Sequence, residues 1–207
     1  SGLSSSASLE VSTALALLGS RAAITPSPEP LAVVKLCRKA ENDFVGMPCG
    51  IMDQYVSMMA REGAAIRIDC RSLENEAAPL PEQVRIVAVN TMVMHELGQS
   101  AYPRRVAQCK AAVAAIQSKH PEAASLRDAK LEYLAECGLD GIPLKRARHV
   151  VSEDQRVLDF MDAAAACDLN RMGELFVASH RSLQHDYEVS CEELDFLVDT
   201  AISLPGV

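Results

Sequence analysis

The residues best suited to chemistry at the start of the chain are Gly2-Leu3-Ser4-Ser5-Ser6-Ala7-Ser8-Leu9, a small-residue loop that runs directly into an apolar-periodic segment. Such a loop ahead of a helix offers backbone N–H groups and the positive end of the helix dipole, with little bulk to hold a phosphate away. Plain helix capping by the serines suits the same residues equally well. The second group is Gly46-Met47-Pro48-Cys49-Gly50-Ile51-Met52-Asp53-Gln54, a turn that ends at an acid opening an apolar stretch through Val56 and Met59. Asp53 either caps that helix or acts on a bound substrate. In the second role the helix dipole keeps it ionised, so it serves as a positioned acceptor. Glu41, upstream in the chain, either supplies a carboxylate for a hard cation such as Mg²⁺ or stands as a solvated helix residue. Tyr102, just before Pro103, suits packing against a sugar face or the start of a helix. His95, His149 and His180 lack zinc-ligand spacing and receive no catalytic role.

These groups need elements to hold them. The segment after the serine loop predicts a helix in which Leu9, Thr13, Ala16 and Leu17 share a face. Ser27-Pro28 reads as the cap and first residue of a second helix, with Leu31, Val34, Leu36 and Cys37 turned inward. Residues 64–69 and 84–90, rich in β-branched side chains, predict two strands, with Pro79 and Pro81 in their connection. Pro103 opens a helix with Val106, Cys109, Val113 and Ile116 on one side. Ser152 with Gln155 and Ser190 with Glu193 have capping-box spacing and each predicts a helix start. In the last helix Leu194, Leu197, Val198, Ala201 and Ile202 form the expected buried face, ended by Pro205-Gly206. A strand-bearing first half and a helix-rich second half predict an α+β protein drawn from two lobes.

Composition narrows the function classes. The chain has 207 residues, of which 49% are hydrophobic, enough to bury one sizeable core or parts of two. No apolar run approaches the ~20 residues of a membrane helix, and the N-terminus lacks a signal-peptide pattern. A net charge of −8 spread along the chain opposes nucleic-acid binding, while local phosphate binding through helix N-termini and Mg²⁺ remains open. Cysteines at 37, 49, 70, 109, 137, 167 and 191 are scattered and lack CxxC spacing. Free thiols in a reducing cytoplasm are the expectation.

The motif GLSSSAS resembles the second signature of the GHMP kinases, whose serine loop wraps ATP phosphates. Further segments are similar to the galactokinase branch of that family: ENDFVGMPCGIMDQYVS from Glu41, IDCRSLE from Ile68, AYPRRVAQC from Ala101, RARHVVSE from Arg146 and SHRSLQHDYEVSCEELD from Ser179. The resemblance implies an α+β, two-lobed GHMP-kinase-like fold, with 1–90 part of the N-terminal lobe and 91–207 part of the helix-rich C-terminal lobe. It implies ATP-dependent phosphorylation of the anomeric hydroxyl of galactose. Asp53 would face that hydroxyl and Tyr102 would contact the sugar. Gly2, Leu3, Ser4, Ser5, Ser6, Ala7, Ser8 and Leu9 would line ATP, and Ser6 with Glu41 would associate with Mg²⁺.

Two family motifs have no counterpart here, an N-terminal Gly-Glu-His-x-Asp stretch with its arginine and a C-terminal glycine-rich loop. The resemblance therefore implies a central fragment with an incomplete fold, inactive alone and prone to self-association, of a parent expected to be a monomer. Gln184 and His185 stand where the family places two polar or charged residues before Asp-Tyr, a surface variation. The competing expectations are a kinase for a related sugar such as N-acetylgalactosamine and a non-catalytic sensor of galactose and ATP. The intact Ser5, Ser6, Ala7 and Asp53 favour the enzyme over the sensor.

Overall fold

The computed structural model of the chain describes residues 3–20, 28–46, 49–92 and 101–206, with positions 101 and 102 described by their backbone only. The chain divides into two compact units, Ser1–Leu80 and Pro81–Val207.

The first unit contains helices α1 (Ser5–Gly19), α2 (Pro30–Lys39) and α3 (Met52–Met59), a π-helical turn at Ala40–Val45 that continues α2, and strands β1 (Ala64–Ile68) and β2 (Asn75–Pro79). The three helices pack on one another. Val11 of α1 meets Val33 and Cys37 of α2 in one small core, and Val34, Ile51 and Tyr55 form a second. The buried stripe of α1 is Ala7 and Val11, with Ala14 and Leu18 half-buried, whereas Leu9, Thr13, Ala16 and Leu17 face solvent. The predicted face was thus the wrong one. Spacing gave two acceptable stripes, and the one with smaller residues lets α2 approach closely. In α2 the inward residues are Val33, Val34 and Cys37, and Leu36 is exposed. The helix begins at Pro30 rather than Pro28, with Glu29 before it; the predicted cap, Ser27, lies outside the described residues.

β1 and β2 form an antiparallel hairpin in which Ala64 pairs with Pro79 and Ile68 with Asn75. Arg67 and Glu76 sit opposite each other and join through Nη1 and Oε2 at 2.9 Å. The connection is closed by Asp69, whose Oδ1 accepts from the amides of Arg71 and Ser72 at 2.8 and 3.0 Å. Tyr55, fully buried, donates its hydroxyl hydrogen to the carbonyl of Leu73 at 3.0 Å and accepts from Asn75 Nδ2 at 2.7 Å, which anchors the hairpin to α3. The predicted strand at 64–69 is present, but its partner is 75–79 and not 84–90. Among the described residues 84–90 pair with no strand, and Ile86, Val87 and Val89 are exposed. β-branched composition favours a strand only where a neighbouring strand and a packed face exist.

The second unit holds α4 (Ala101–Gln117), a short 3₁₀ turn (Leu126–Asp128), α5 (Leu131–Glu136), the long α6 (Gly141–Ala165), α7 (Leu169–Ser182) continued by a π turn (Leu183–Tyr187), and α8 (Glu192–Ala201). Ala112 and Ile116 of α4, Leu126, Leu134 and Ala147 form one core, and Ala163, Ala164, Met172 and Leu175 a second between α6 and α7. Of the two predicted helix starts, the one at Ser190 is met within two residues by α8, and the one at Ser152 is not. Ser152 lies inside α6 and its hydroxyl donates to the His149 carbonyl at 3.1 Å, while Ser190 donates to Asp195 at 2.6 Å and Cys191 occupies the cap of α8. The box that forms is Ser125 with Asp128. On α8, Leu197, Val198 and Ala201 are half-buried, and Leu194 and Ile202 remain exposed, so the expected stripe is only partly covered.

Where α7 unwinds into its π turn, the chain ends in left-handed backbone at Glu188, φ 55°. Two arginines take up the carbonyls this leaves free. Arg105 donates to the carbonyls of Tyr187 and Glu188, each at 2.6 Å. Arg146, 1% exposed, reaches Gln108 Oε1 at 2.8 Å, the Asp186 carbonyl, and Glu188 Oε2 at 2.7 Å. Lys145 adds a second ion pair to Glu188 at 2.9 Å. The hydrogen bond from Arg146, then that from Lys145, holds the Glu188 carboxyl down at about 2. Asp186 is lowered in the same direction by its bond from Arg148. Carboxyls depressed in the folded state stabilise it above their unfolded value, and that stability is lost as pH falls through the folded value. The second unit is therefore expected to weaken between about pH 4.5 and pH 2. Glu188→Gln should flatten part of that slope in denaturation midpoints measured across pH 2–6; an unchanged slope would place the acid sensitivity elsewhere.

Candidate functional site

In the first unit the expected serine loop is mostly helix: α1 begins at Ser5, so Ser5, Ser6, Ala7, Ser8 and Leu9 lie in its opening turns and only Leu3 and Ser4 precede it among the described residues. Ser4 occupies the position before the helix in left-handed backbone, φ 51° and ψ 42°, and makes no side-chain cap bond. Ser5, Ser6 and Ser8 are exposed, Ala7 is buried against the unit, and the first turn carries no acid. The leading amides of the helix thus lack a side-chain acceptor, and the first turn itself carries no acid to oppose an anion. Of the residues predicted to line a phosphate, Leu3, Ser4, Ser5, Ser6, Ala7, Ser8 and Leu9 are seen, and Gly2 lies outside the described residues.

Asp53 stands in the first turn of α3, after Ile51, and caps nothing. Its side chain is exposed, and among the described residues no hydrogen bond or ion pair engages it. The turn before it is pinned where Asn42 Oδ1 accepts from the Cys49 amide at 2.8 Å; Met47 and Pro48 lie outside the described residues. Gly46, φ 78°, ends the π turn in a backbone region that suits glycine.

Glu41 is not the solvated helix residue that its sequence neighbourhood allowed. It is 9% exposed on the π turn, and its Oε2 accepts from Gln54 Nε2 at 3.3 Å. The same nitrogen donates to Glu10 Oε2 at 3.3 Å and lies 3.9 Å from Cys49 Sγ. Gln54 follows Asp53 and Glu10 follows Leu9. One carboxamide thereby joins the second turn of α1, the π turn carrying Glu41 and the first turn of α3. Burial pushes the Glu10 carboxyl up, the Glu41 carboxyl beside it adds to this, and the Gln54 hydrogen bond opposes it. Gln54 Oε1 is buried and has no partner among the described residues.

Glu10 and Gln54 were missed by sequence reasoning. They are far apart in the chain and belong to no metal or acid–base spacing, so only the packing of α1 against α3 reveals them. Tyr102 belongs to the second unit, and its side chain lies outside the described residues. Among the described residues no group of three or more His, Cys, Asp or Glu gathers as a metal site. A magnesium ion carried on nucleotide phosphates requires less, one or two carboxylates with oxygen donors. The buried Glu41 carboxylate, the neighbouring Glu10, the Ser6 hydroxyl and the Gln54 oxygen are all hard oxygen donors that fit such an ion. All seven cysteines are unpaired, and among the described residues no helix is long and apolar enough to cross a membrane.

A helix N-terminus open to anions and an exposed aspartate in the first turn of a second helix suit phosphate chemistry, and the comparisons bear on it. Residues 1–61 match the family described as GHMP kinases N terminal domain. Over its full length the chain is similar to galactokinases: it is 44% identical to that of Homo sapiens over 211 residues, covering 51% of that protein, and 44% identical to that of Chloroflexus aurantiacus over 212 residues, covering 53%. The α+β structure is similar to part of the Lactococcus lactis galactokinase solved with galactose, with a TM-score of 0.89 and 35% identity over all of this chain and 53% of that one. The chain spans about half the length of the curated relatives it matches.

Proposed function

We propose that the protein carrying this chain is a galactokinase, which transfers the γ-phosphoryl group of ATP to the anomeric hydroxyl of galactose and releases galactose 1-phosphate and ADP. The observation that supports this reading is the Gln54 bridge, which ties the second turn of α1 and the buried Glu41 to the first turn of α3, where Asp53 stands exposed. The similarity to galactokinases along the whole chain supports galactose as the sugar.

In this reading the leading amides of α1 and the hydroxyls of Ser4, Ser5 and Ser6 receive the nucleotide phosphates, which the helix dipole favours. Asp53 accepts the proton of the anomeric hydroxyl as the new O–P bond forms and the bond to the ADP oxygen breaks. Its exposed carboxylate, unengaged by other described residues, is free to take that hydrogen bond. Ser6 and Glu41 would hold the magnesium ion, which when bound neutralises charge on the phosphates. Residues 1–90 then belong to the N-terminal lobe and 91–207 to the C-terminal lobe, with Tyr102 contributing to the sugar pocket. A cytoplasmic enzyme of galactose metabolism accords with the unpaired thiols.

The test is product identification by ³¹P NMR with the chain expressed in its complete reading frame, ATP, Mg²⁺ and a sugar panel. Galactose 1-phosphate as the dominant product is expected. Preferential phosphorylation of N-acetylgalactosamine would move the assignment to a related sugar kinase.

A further inference from the structure

The magnesium role above rests on Ser6 and Glu41, yet Glu41 does not hold itself in place. It lies on a π-helical turn, where the i to i−4 ladder is interrupted, and its carboxylate is buried. Among the described residues Gln54 Nε2 donates to it, and the Glu10 carboxyl lies beside it. That nitrogen is shared with Glu10, so a single carboxamide bridges two carboxylates on different elements. Gln54 itself is 1% exposed, and its other polar atom, Oε1, is buried without a partner among the described residues.

We infer that Gln54 is a positioning residue for the cation of the phosphoryl-transfer site: its N–H group sets the Glu41 carboxylate, and Glu10 holds the carboxamide from the other side. This rests on the galactokinase reading for the identity of the cation and the nucleotide. It assigns separate work to two adjacent residues of α3: Asp53 faces the sugar hydroxyl, and Gln54 faces inward and acts on the metal through Glu41. Because Gln54 acts through another residue, its loss should change the metal requirement first and turnover at saturating metal least.

The experiment uses the chain in its complete reading frame, with Gln54→Met, which keeps length and removes both polar atoms, and Glu10→Gln, which keeps shape and removes the charge. Two quantities are read: the Mg²⁺ concentration giving half-maximal rate, and Mn²⁺ binding in the presence of ATP, followed by water-proton relaxation without turnover. Gln54→Met should raise the Mg²⁺ requirement and weaken Mn²⁺ binding about tenfold, the scale of one hydrogen bond to a charged group, with rate recovering as metal is raised. Glu10→Gln should shift both in the same direction by about threefold. A folded Gln54→Met protein with an unchanged metal requirement, or with a loss that no metal concentration repairs, overturns the inference. If Gln54→Met does not fold, Glu10→Gln decides, and unaltered metal binding in it overturns the inference. A wild-type protein that binds Mn²⁺ and ATP but does not phosphorylate galactose defeats the functional reading alone, and the binding arm still judges Gln54.

Discussion

Replacing Asp53 by Asn is expected to lower galactose phosphorylation in the complete-frame protein by about a hundredfold to ten-thousandfold, with ATP affinity changed by less than about threefold. The exchange keeps the size of the side chain and removes the proton acceptor. Its structural cost should be small, because Asp53 is exposed, caps no helix and is tied to no other described residue. That separates it from an aspartate that starts a helix, whose loss would lower stability by about 1 kcal/mol and leave the chemistry alone. Steady-state kinetics with thermal melts distinguish the two. Near-normal turnover would remove Asp53 from the mechanism, and a fall in melting temperature with intact turnover would return it to a structural role.

The second large effect lies in the other unit. Arg146→Met should destabilise the Pro81–Val207 unit by about 3 kcal/mol, because the guanidinium is 1% exposed and serves three acceptors at once. Removing it leaves the Asp186 carbonyl and Gln108 Oε1 without that donor and takes from Glu188 the partner that lowers it most. The Glu188 end of the pair is partly exposed, so solvent screening reduces its share, and most of the loss comes from the part-buried Asp186 carbonyl and from the volume of the buried guanidinium, since Gln108 Oε1 keeps Arg105 as a donor. Arg146→Lys should recover little, since a single ammonium group does not reproduce the planar fork. Urea unfolding monitored in the second unit would show the loss, and a change below about 0.5 kcal/mol would contradict this account of the clamp.

The sequence announced its chemistry locally and hid its long-range bonds. The helix that follows the opening serines and the first strand were legible because apolar period and β-branched residues act on their own neighbourhood, although α1 starts at Ser5 and takes in most of the expected loop. The second strand was not, since Asn75-Glu76-Ala77-Ala78-Pro79 has low intrinsic preference and is a strand only because β1 lies beside it. Residues 84–90 went the other way, with strand composition and no partner among the described residues. The helix start predicted at Ser152 failed for a related reason. Ser152 and Gln155 match the spacing, but α6 starts at Gly141 and runs through them. The candidate site followed the same division. Asp53 was visible from its turn, whereas Glu41 looked like a surface acid until the π turn buried it, and the bridge from Gln54 to Glu10 joins residues far apart in sequence. Arg146 carried no local mark of burial; its partners come from α4 and the π turn after α7.

The central claim is best tested by galactose-dependent ADP release with Mg²⁺ and ATP, measured for the 207-residue chain beside the same chain in its complete reading frame. The account predicts that ADP release in the complete-frame protein requires galactose and stops with Asp53→Asn. Binding of galactose and ATP by that protein with no ADP release would contradict it and identify a sensor instead.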